Sequence, residues 1–267
     1  MKPKHVTQPY LAYLLLNNNF AISPKADGIT TTVYIQSLKK KVCAEYVDNV
    51  LYVFGYPESK NTSLLNDITK LRSMHPTASK LTNYTISSIS EFEDCLDTER
   101  KLIDEYKKTT EDKQLWYPKN VLILNMDRET IASILEIKYD TGYETDGWIL
   151  TCLQSNNAKY YTAKYKPIDK TTIDVHINNS STIGYTSDNQ AIHIKSDGIN
   201  KNGIYRCYWD DGWVAKDLRY EKKYPNPHHV VQQLTEYHKS PWCASDVVKQ
   251  IKPVYYDHKP KKLAEPV

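Results

Sequence analysis

Long apolar runs are absent from this chain, and their absence removes one class of function at once. A membrane-spanning helix takes about 20 consecutive apolar residues, whereas the longest early apolar stretch, 10–16, stops at Asn17-Asn18-Asn19. No small-residue cleavage site follows it, so neither a membrane anchor nor a secretory signal is expected. Cysteine is sparse and scattered: Cys43, Cys95, Cys152, Cys207 and Cys243 form no close pair. That argues against a disulfide framework and against a zinc site, and a reducing, cytoplasmic setting is expected. Neither sign of charge dominates. With 35 Lys and Arg against 32 Asp and Glu, the net charge of +3 is too small to imply a nucleic-acid partner by itself. Lys39-Lys40-Lys41, Lys222-Lys223 and the lysines of 259–262 are read first as solvated faces. Glycine is scarce as well: 8 residues beside 22 tyrosines speak of AT-rich coding rather than of chemistry. What is present, 40% apolar and 25% charged over 267 residues, suits a folded globular protein of one large or two small domains.

Thr30–Gln36 and Val50–Tyr56 are β-branched and aromatic, which predicts strands. Ser63–Met74 and Ser90–Lys108 space Leu and Ile at helical intervals. Residues 119–126 read as a buried strand, or as the lead into a helix over 127–137. Glu144–Leu153 and Lys159–Pro167 are again strand-like. After Pro167 the texture changes to short alternating segments, Thr171–Ile177, Ala191–Lys195 and Gly203–Trp209, separated by turn clusters at 178–181, 196–198 and 210–212. Close spacing of short strands predicts a small barrel or sandwich. Helices are expected over Pro227–His238 and Ala244–Ile251. The expected class is α+β, with a mixed body over 1–167 and a small β module with a helical tail over 168–267.

Chemistry concentrates first at Pro24-Lys25-Ala26-Asp27-Gly28. Here a lysine stands beside an acid and a glycine, between two strand-like stretches. A lysine becomes a nucleophile only where burial, other cations or a metal disfavour its charged form; alone, the tetrapeptide is equally a turn. Glu45, placed between two strands, suits a ribose or a divalent metal, or is a surface glutamate at a strand edge. Asp146-Gly147 enters an apolar strand and offers a second carboxylate for Mg²⁺, a hard ion that takes oxygen ligands, or is a plain turn. In Lys164-Tyr165-Lys166-Pro167 the alternation sends both lysines to one face. There they suit an α-phosphate and its pyrophosphate leaving group, or else face solvent. The string from Arg219 to Asn226, preceded by Cys207-Tyr208-Trp209 and Trp213, is by itself a charged loop.

Taken in order, Lys25-x-Asp27-Gly28, Glu45, Asp146-Gly147, Lys164-x-Lys166-Pro167 and Arg219-x-Glu221-Lys222-x-x-Pro225-Asn226 resemble the signature of covalent nucleotidyltransferases. That superfamily holds the mRNA-capping guanylyltransferases and the ATP-dependent DNA and RNA ligases, and the resemblance runs from about residue 20 to 230. Two features are similar to capping enzymes: the Arg-x-Asp-Lys-x-x-Pro-Asn spacing, with Glu221 in place of Asp, and Asp-Gly at 146–147 where ligases usually carry Glu-Gly. The 20-residue step from Lys25 to Glu45 is similar to that in capping enzymes of large cytoplasmic DNA viruses. One departure is Thr30, which stands where an arginine is common.

The resemblance implies a nucleotidyltransferase domain of antiparallel sheets with flanking helices, followed by a small OB-fold β-barrel and a helical tail. It implies GTP as substrate, Mg²⁺ or Mn²⁺ as cofactor, and the 5′-diphosphate end of RNA as acceptor. Lys25 would form a lysyl-N-GMP intermediate. Asp27, Gly28, Thr30, Glu45, Asp146, Lys164, Lys166, Arg219, Glu221 and Lys222 would surround the nucleotide, with Glu45 and Asp146 serving ribose or metal. Arg219 and Lys222 would orient the β- and γ-phosphates as the OB module closes. Trp116 is a candidate to stack on the guanine ring, or else part of a core aromatic pair. Triphosphatase and methyltransferase steps have no signature in these residues and are expected of other components of a capping apparatus. Two alternatives stay open: a polynucleotide ligase that adenylates Lys25, and a catalytically inactive RNA-binding relative.

Overall fold

The computed structural model of the protein describes residues 4–17, 20–57, 64–81, 85–111, 114–153, 162–178, 182–195 and 199–251. The expected helix start at Ser63, the strand start at Lys159, the turns at 179–181 and 196–198 and the basic tail at 259–262 lie outside them. The class is α+β. A six-stranded sheet runs in the order β1 (Lys4–His5), β10 (Thr162–Tyr165), β9 (Thr145–Cys152), β2 (Phe20–Ala26), β8 (Leu122–Leu124), β6 (Thr85–Ile86). Beside it stands a four-stranded sheet, β3 (Ile29–Ile35), β4 (Lys40–Val47), β5 (Val50–Gly55), β7 (Leu115–Pro118). The expectation of antiparallel sheets needs correction, because the pairs β1/β10, β6/β8 and β5/β7 are parallel. Parallel partners need a crossover, usually helical. Helix α2 (Leu64–Met74) and helix α3 (Ile89–Thr109) lie between β5 and β7, and α3 also lies between β6 and β8.

Each helix follows from its residues. Helix α1 (Gln8–Asn17), which occupies the early apolar stretch, buries Leu11, Leu14 and Leu15 at helical spacing. Pro9 is tolerated there because the first turn needs no N–H partner. Helix α3 starts where Ser88 Oγ accepts from Glu91 N–H at 3.2 Å and Glu91 Oε2 accepts from Ser87 N–H at 2.7 Å. Its buried stripe, Phe92, Cys95, Leu96, Glu99, Leu102, Ile103 and Tyr106, contains one acid. Glu99 is fully buried 4.0 Å from Arg72 of α2, and Arg72 Nη2 donates to Asn120 Oδ1 at 2.5 Å. Helix α4 (Arg128–Glu136) is capped by Asp127, whose Oδ1 accepts from Thr130 N–H at 2.8 Å.

The third sheet is antiparallel, in the order β13 (Ala191–His193), β12 (Ile183–Tyr185), β11 (Ile173–Ile177), β14 (Gly203–Trp209), β15 (Trp213–Leu218). One bridge, Lys195 to Val214, joins its two edges, and no closed barrel forms among the described residues. Helix α5 (His228–Lys239) inserts Val231 and Leu234 into this sheet's core, and Trp213 Nε1 donates to Thr235 Oγ1 at 2.9 Å. Helix α6 (Ala244–Gln250) returns to the first core through Ala244 and Val247. Ala244 N–H donates to the Tyr165 hydroxyl at 3.2 Å and Ser245 N–H to Glu136 Oε1 at 2.6 Å. The chain therefore passes between the two cores twice. No helix among the described residues is long and apolar enough to cross a membrane.

The Arg72–Glu99 pair yields a stability test. Burial pushes the Glu99 carboxyl up to about 7, against the pull of Arg72. Arg72→Met should lower stability by about 3–5 kcal/mol, because it strands a buried charge. The folded value lies above the unfolded one, so the folded state binds the extra proton, and stability drawn from Glu99 falls as pH rises from the unfolded value through about 7. Urea denaturation of the variant should accordingly show a larger loss at pH 8 than at pH 6.

Candidate active site

Lys25 lies opposite a bulge in β9. In the β2/β9 ladder Pro24 faces Trp148 and Ala26 faces Thr145, so Asp146 and Gly147 together oppose Lys25 alone. A bulge puts two residues of one strand against one of its partner and re-aims a side chain of the bulged strand, here beside Lys25. Lys25 keeps 15% side-chain exposure while its neighbours Pro24 and Ala26 are buried. Its Nζ donates to Asp146 Oδ1 at 2.6 Å, and Lys166 Nζ donates to Asp146 Oδ2. Both acid-glycine pairs need glycine for close approach. A Cβ on Gly147, which has φ +134°, would lie 2.2 Å from the Tyr165 carbonyl oxygen; a Cβ on Gly28 would lie 2.4 Å from that of Tyr46.

Strand β10 shows the alternation expected of it: Ala163 and Tyr165 are buried, while Lys164 and Lys166 take the other face. Burial, then Lys166 and Lys25, push the Lys164 ammonium down to about 8, with Asp146 opposing. Burial and Lys25 also lower Lys166. Burial alone would raise Asp146, but Lys166 and Lys25 outweigh it and hold this carboxyl below its ordinary value. A fourth basic side chain, missed in the sequence, joins them. His5 pairs in register with Lys164, and burial followed by Lys164, Lys166 and Lys25 pushes its imidazole down to about 2. A two-residue strand leaves no periodic signal, so nothing in the sequence marked it.

Glu45 is not between strands but within β4, a central strand, opposite Thr30 of β3 and Tyr52 of β5. Its Oε2 accepts from Lys119 Nζ at 2.7 Å, with side-chain exposures of 13% and 5%. Burial lowers the Lys119 ammonium, opposed by Glu45, and Lys25 adds repulsion. Lys119 is thus a second residue the sequence reading passed over, although it opens the segment 119–126. Asp27, Gly28 and Thr30 are exposed on the β2–β3 turn and the start of β3. Trp116 does not join the site. At 2% exposure it packs edge-on against His75 at 4.7 Å and donates from Nε1 to Ser37 Oγ at 3.1 Å, which leaves no free face for a base.

Across from these groups the loop after β15 carries Arg219, Glu221 and Lys222. Arg219 Nη1 lies 3.3 Å from Asp174 Oδ1, Lys222 Nζ lies 3.0 Å from Asp174 Oδ2, and Arg219 Nε pairs with Glu221. The positive charge of Lys222 helps to lower Lys164, and Asp27 helps to raise Arg206 of β14. The third sheet therefore stands within electrostatic reach of the first. For a divalent ion, Glu45 and Asp146 supply oxygen donors, and each already accepts a lysine. Among the described residues no three His, Cys, Asp or Glu side chains gather as a metal site.

The His5 environment makes a pH prediction. Its folded value lies below the ordinary one, so stability drawn from the neutral ring is full above about 6.5 and drains away as pH falls below it. NMR of ring-labelled protein should find His5 neutral from about pH 8 down to about pH 4. Replacing Lys164 and Lys166 together by Met should raise its midpoint.

No protein-family model matches the chain. It is similar to the uncharacterized killer plasmid pGKl-2 protein 3 of Kluyveromyces lactis, with 29% identity over 181 residues, 67% of this chain and 26% of that protein. The chain spans about a quarter of the length of that relative.

Proposed function

We propose that the chain is an mRNA guanylyltransferase that transfers GMP from GTP to the 5′-diphosphate end of RNA through a covalent intermediate on Lys25. The observation that carries this reading is the convergence of Lys25 and Lys166 on one carboxylate, Asp146, with Lys164 within electrostatic reach of all three. A structural core has no use for three partly buried ammonium groups around a single acid. A phosphate-rich substrate supplies the missing negative charge.

In the first step Lys25, as the free amine, attacks the α-phosphorus. Its lone pair forms the N–P bond while the bond from phosphorus to the pyrophosphate oxygen breaks, in line and on the opposite side, and the proton the nitrogen sheds leaves through its hydrogen bond to Asp146. Asp146 orients Lys25. Lys164 and Lys166 take the charge developing on the α-phosphate oxygens, a preorganised stabilisation in a partly desolvated site. A bound Mg²⁺ or Mn²⁺ would neutralise phosphate charge further. Arg219 and Lys222 face the leaving group. In the second step a terminal phosphate oxygen of the RNA attacks the same phosphorus, the N–P bond breaks, and Lys25 takes back a proton through Asp146 and leaves as the amine. Ordered sequence elements on both bodies support the reading, and the third sheet is proposed to be an OB-type module that closes over GTP and reopens for RNA. Triphosphatase and methyltransferase steps are assigned to other components of a capping apparatus.

Incubation with α-labelled GTP and Mg²⁺ or Mn²⁺ should give an acid-labile label on the protein, and Lys25→Ala should abolish it. A label that survives this substitution would sink the mechanism, and a label from ATP alone would make the protein a ligase. The Lys164 environment adds a pH test. In kcat/KM, which reads the free enzyme, labelling should lose efficiency as pH rises through about 8 and Lys164 loses its charge. Lys164→Arg, which stays charged, should remove that alkaline fall.

A further inference from the structure

Asp174 is the acid at the centre of the third sheet's loop cluster, and no motif of the sequence assigned it a role. Its side chain is 10% exposed, and each oxygen holds one cation, Arg219 at 3.3 Å and Lys222 at 3.0 Å. Its backbone is fixed as well. Asp174 N–H donates to Asn226 Oδ1 at 2.6 Å, and its carbonyl accepts from Asn226 N–H at 2.7 Å. The residue that closes the 219–226 string thus locks the strand position from which one carboxylate sets the spacing of the two cations that open it. Glu221 pairs with Arg219 and, among the described residues, forms no salt bridge to Lys222; it is also 40% exposed, so it does not set the pair.

We propose that Asp174 is a positioning residue for departure of the pyrophosphate group, holding Arg219 and Lys222 as a preset pair for the β- and γ-phosphates of the nucleoside triphosphate. The proposal rests on the guanylyltransferase reading. Without Asp174 both side chains regain rotamer freedom, and Lys222, whose charge reaches Lys164, loses its paired carboxylate. The bond that benefits is the one breaking between the α-phosphorus and the bridging oxygen, whose electron pair leaves on pyrophosphate towards this pair. The second step breaks the N–P bond after pyrophosphate has gone, so it gains nothing from Asp174.

That difference gives the test. Asp174→Asn keeps the shape and the backbone pairing with Asn226 while removing the charge. Rapid-quench labelling with α-labelled GTP and Mg²⁺ should show lysyl-GMP formation slowed by about tenfold or more, mainly in kcat. Reversal of the isolated intermediate by added pyrophosphate should slow in parallel. Transfer from the isolated intermediate to diphosphate-ended RNA should keep the wild-type rate. Asn226→Ala, which loosens Asp174 without touching its charge, should give a weaker loss confined to the same step, and it decides the matter if Asp174→Asn does not fold. Labelling at the wild-type rate, or equal slowing of both steps with a lowered melting temperature, would overturn the proposal while leaving guanylylation standing. A wild-type protein that takes no label would overturn both.

Discussion

One carboxylate governs the site. Asp146 accepts Lys25 on one oxygen and Lys166 on the other, and without it three ammonium groups from the two strands that flank β9 would repel one another in a partly buried place. Repulsion of this kind is costly where water is scarce, since each charge loses solvation and gains a like neighbour. Everything nearby serves the arrangement. The bulge in β9 sets Asp146 beside Lys25 of β2, Gly147 lets β9 close on β10, and Lys164 and Lys166 leave β10 and its end on one face. Even His5 fits the account, because its imidazole stays neutral and adds no fourth charge.

Opposite this cluster the third sheet repeats the device. Asp174 holds Arg219 and Lys222 as Asp146 holds Lys25 and Lys166. Two acids, each bridging two cations, thus lie on the two bodies of the molecule. In the proposed reaction a triphosphate would engage both sets, since it carries enough negative charge for each. Helix α5 belongs to the third sheet and α6 to the first core, so the two bodies are joined at 240–243 as well as near Pro167.

Much of the fold was legible because its periodic segments are long. Ile89–Thr109 and Leu64–Met74 fall within a residue or so of the helices read from Leu and Ile spacing. The short strands β1, β7 and β12 escaped, because two to four residues cannot display a period. Strand β4 was missed for another reason: its lysines and Glu45 break an apolar run, and only pairing on both sides reveals it as central. Trp116 shows the limit in the opposite direction. Sequence identified an aromatic in a plausible place, and packing against His75 put it in the core.

The sequence by itself determined the ingredients: a lysine beside an acid and a glycine, a second acid-glycine pair, a strand with two lysines, and a loop with an arginine and a lysine, in fixed order. Local rules are enough for that, since turn chemistry and strand alternation act over a few residues. Tertiary structure alone decided the partners. Lys25 meets Asp146 across 121 positions, Lys119 meets Glu45 across 74, and Arg219 meets Asp174 across 45. Ion pairs at such separations are set by sheet register and by the docking of one sheet against another, and no local pattern in the chain records either.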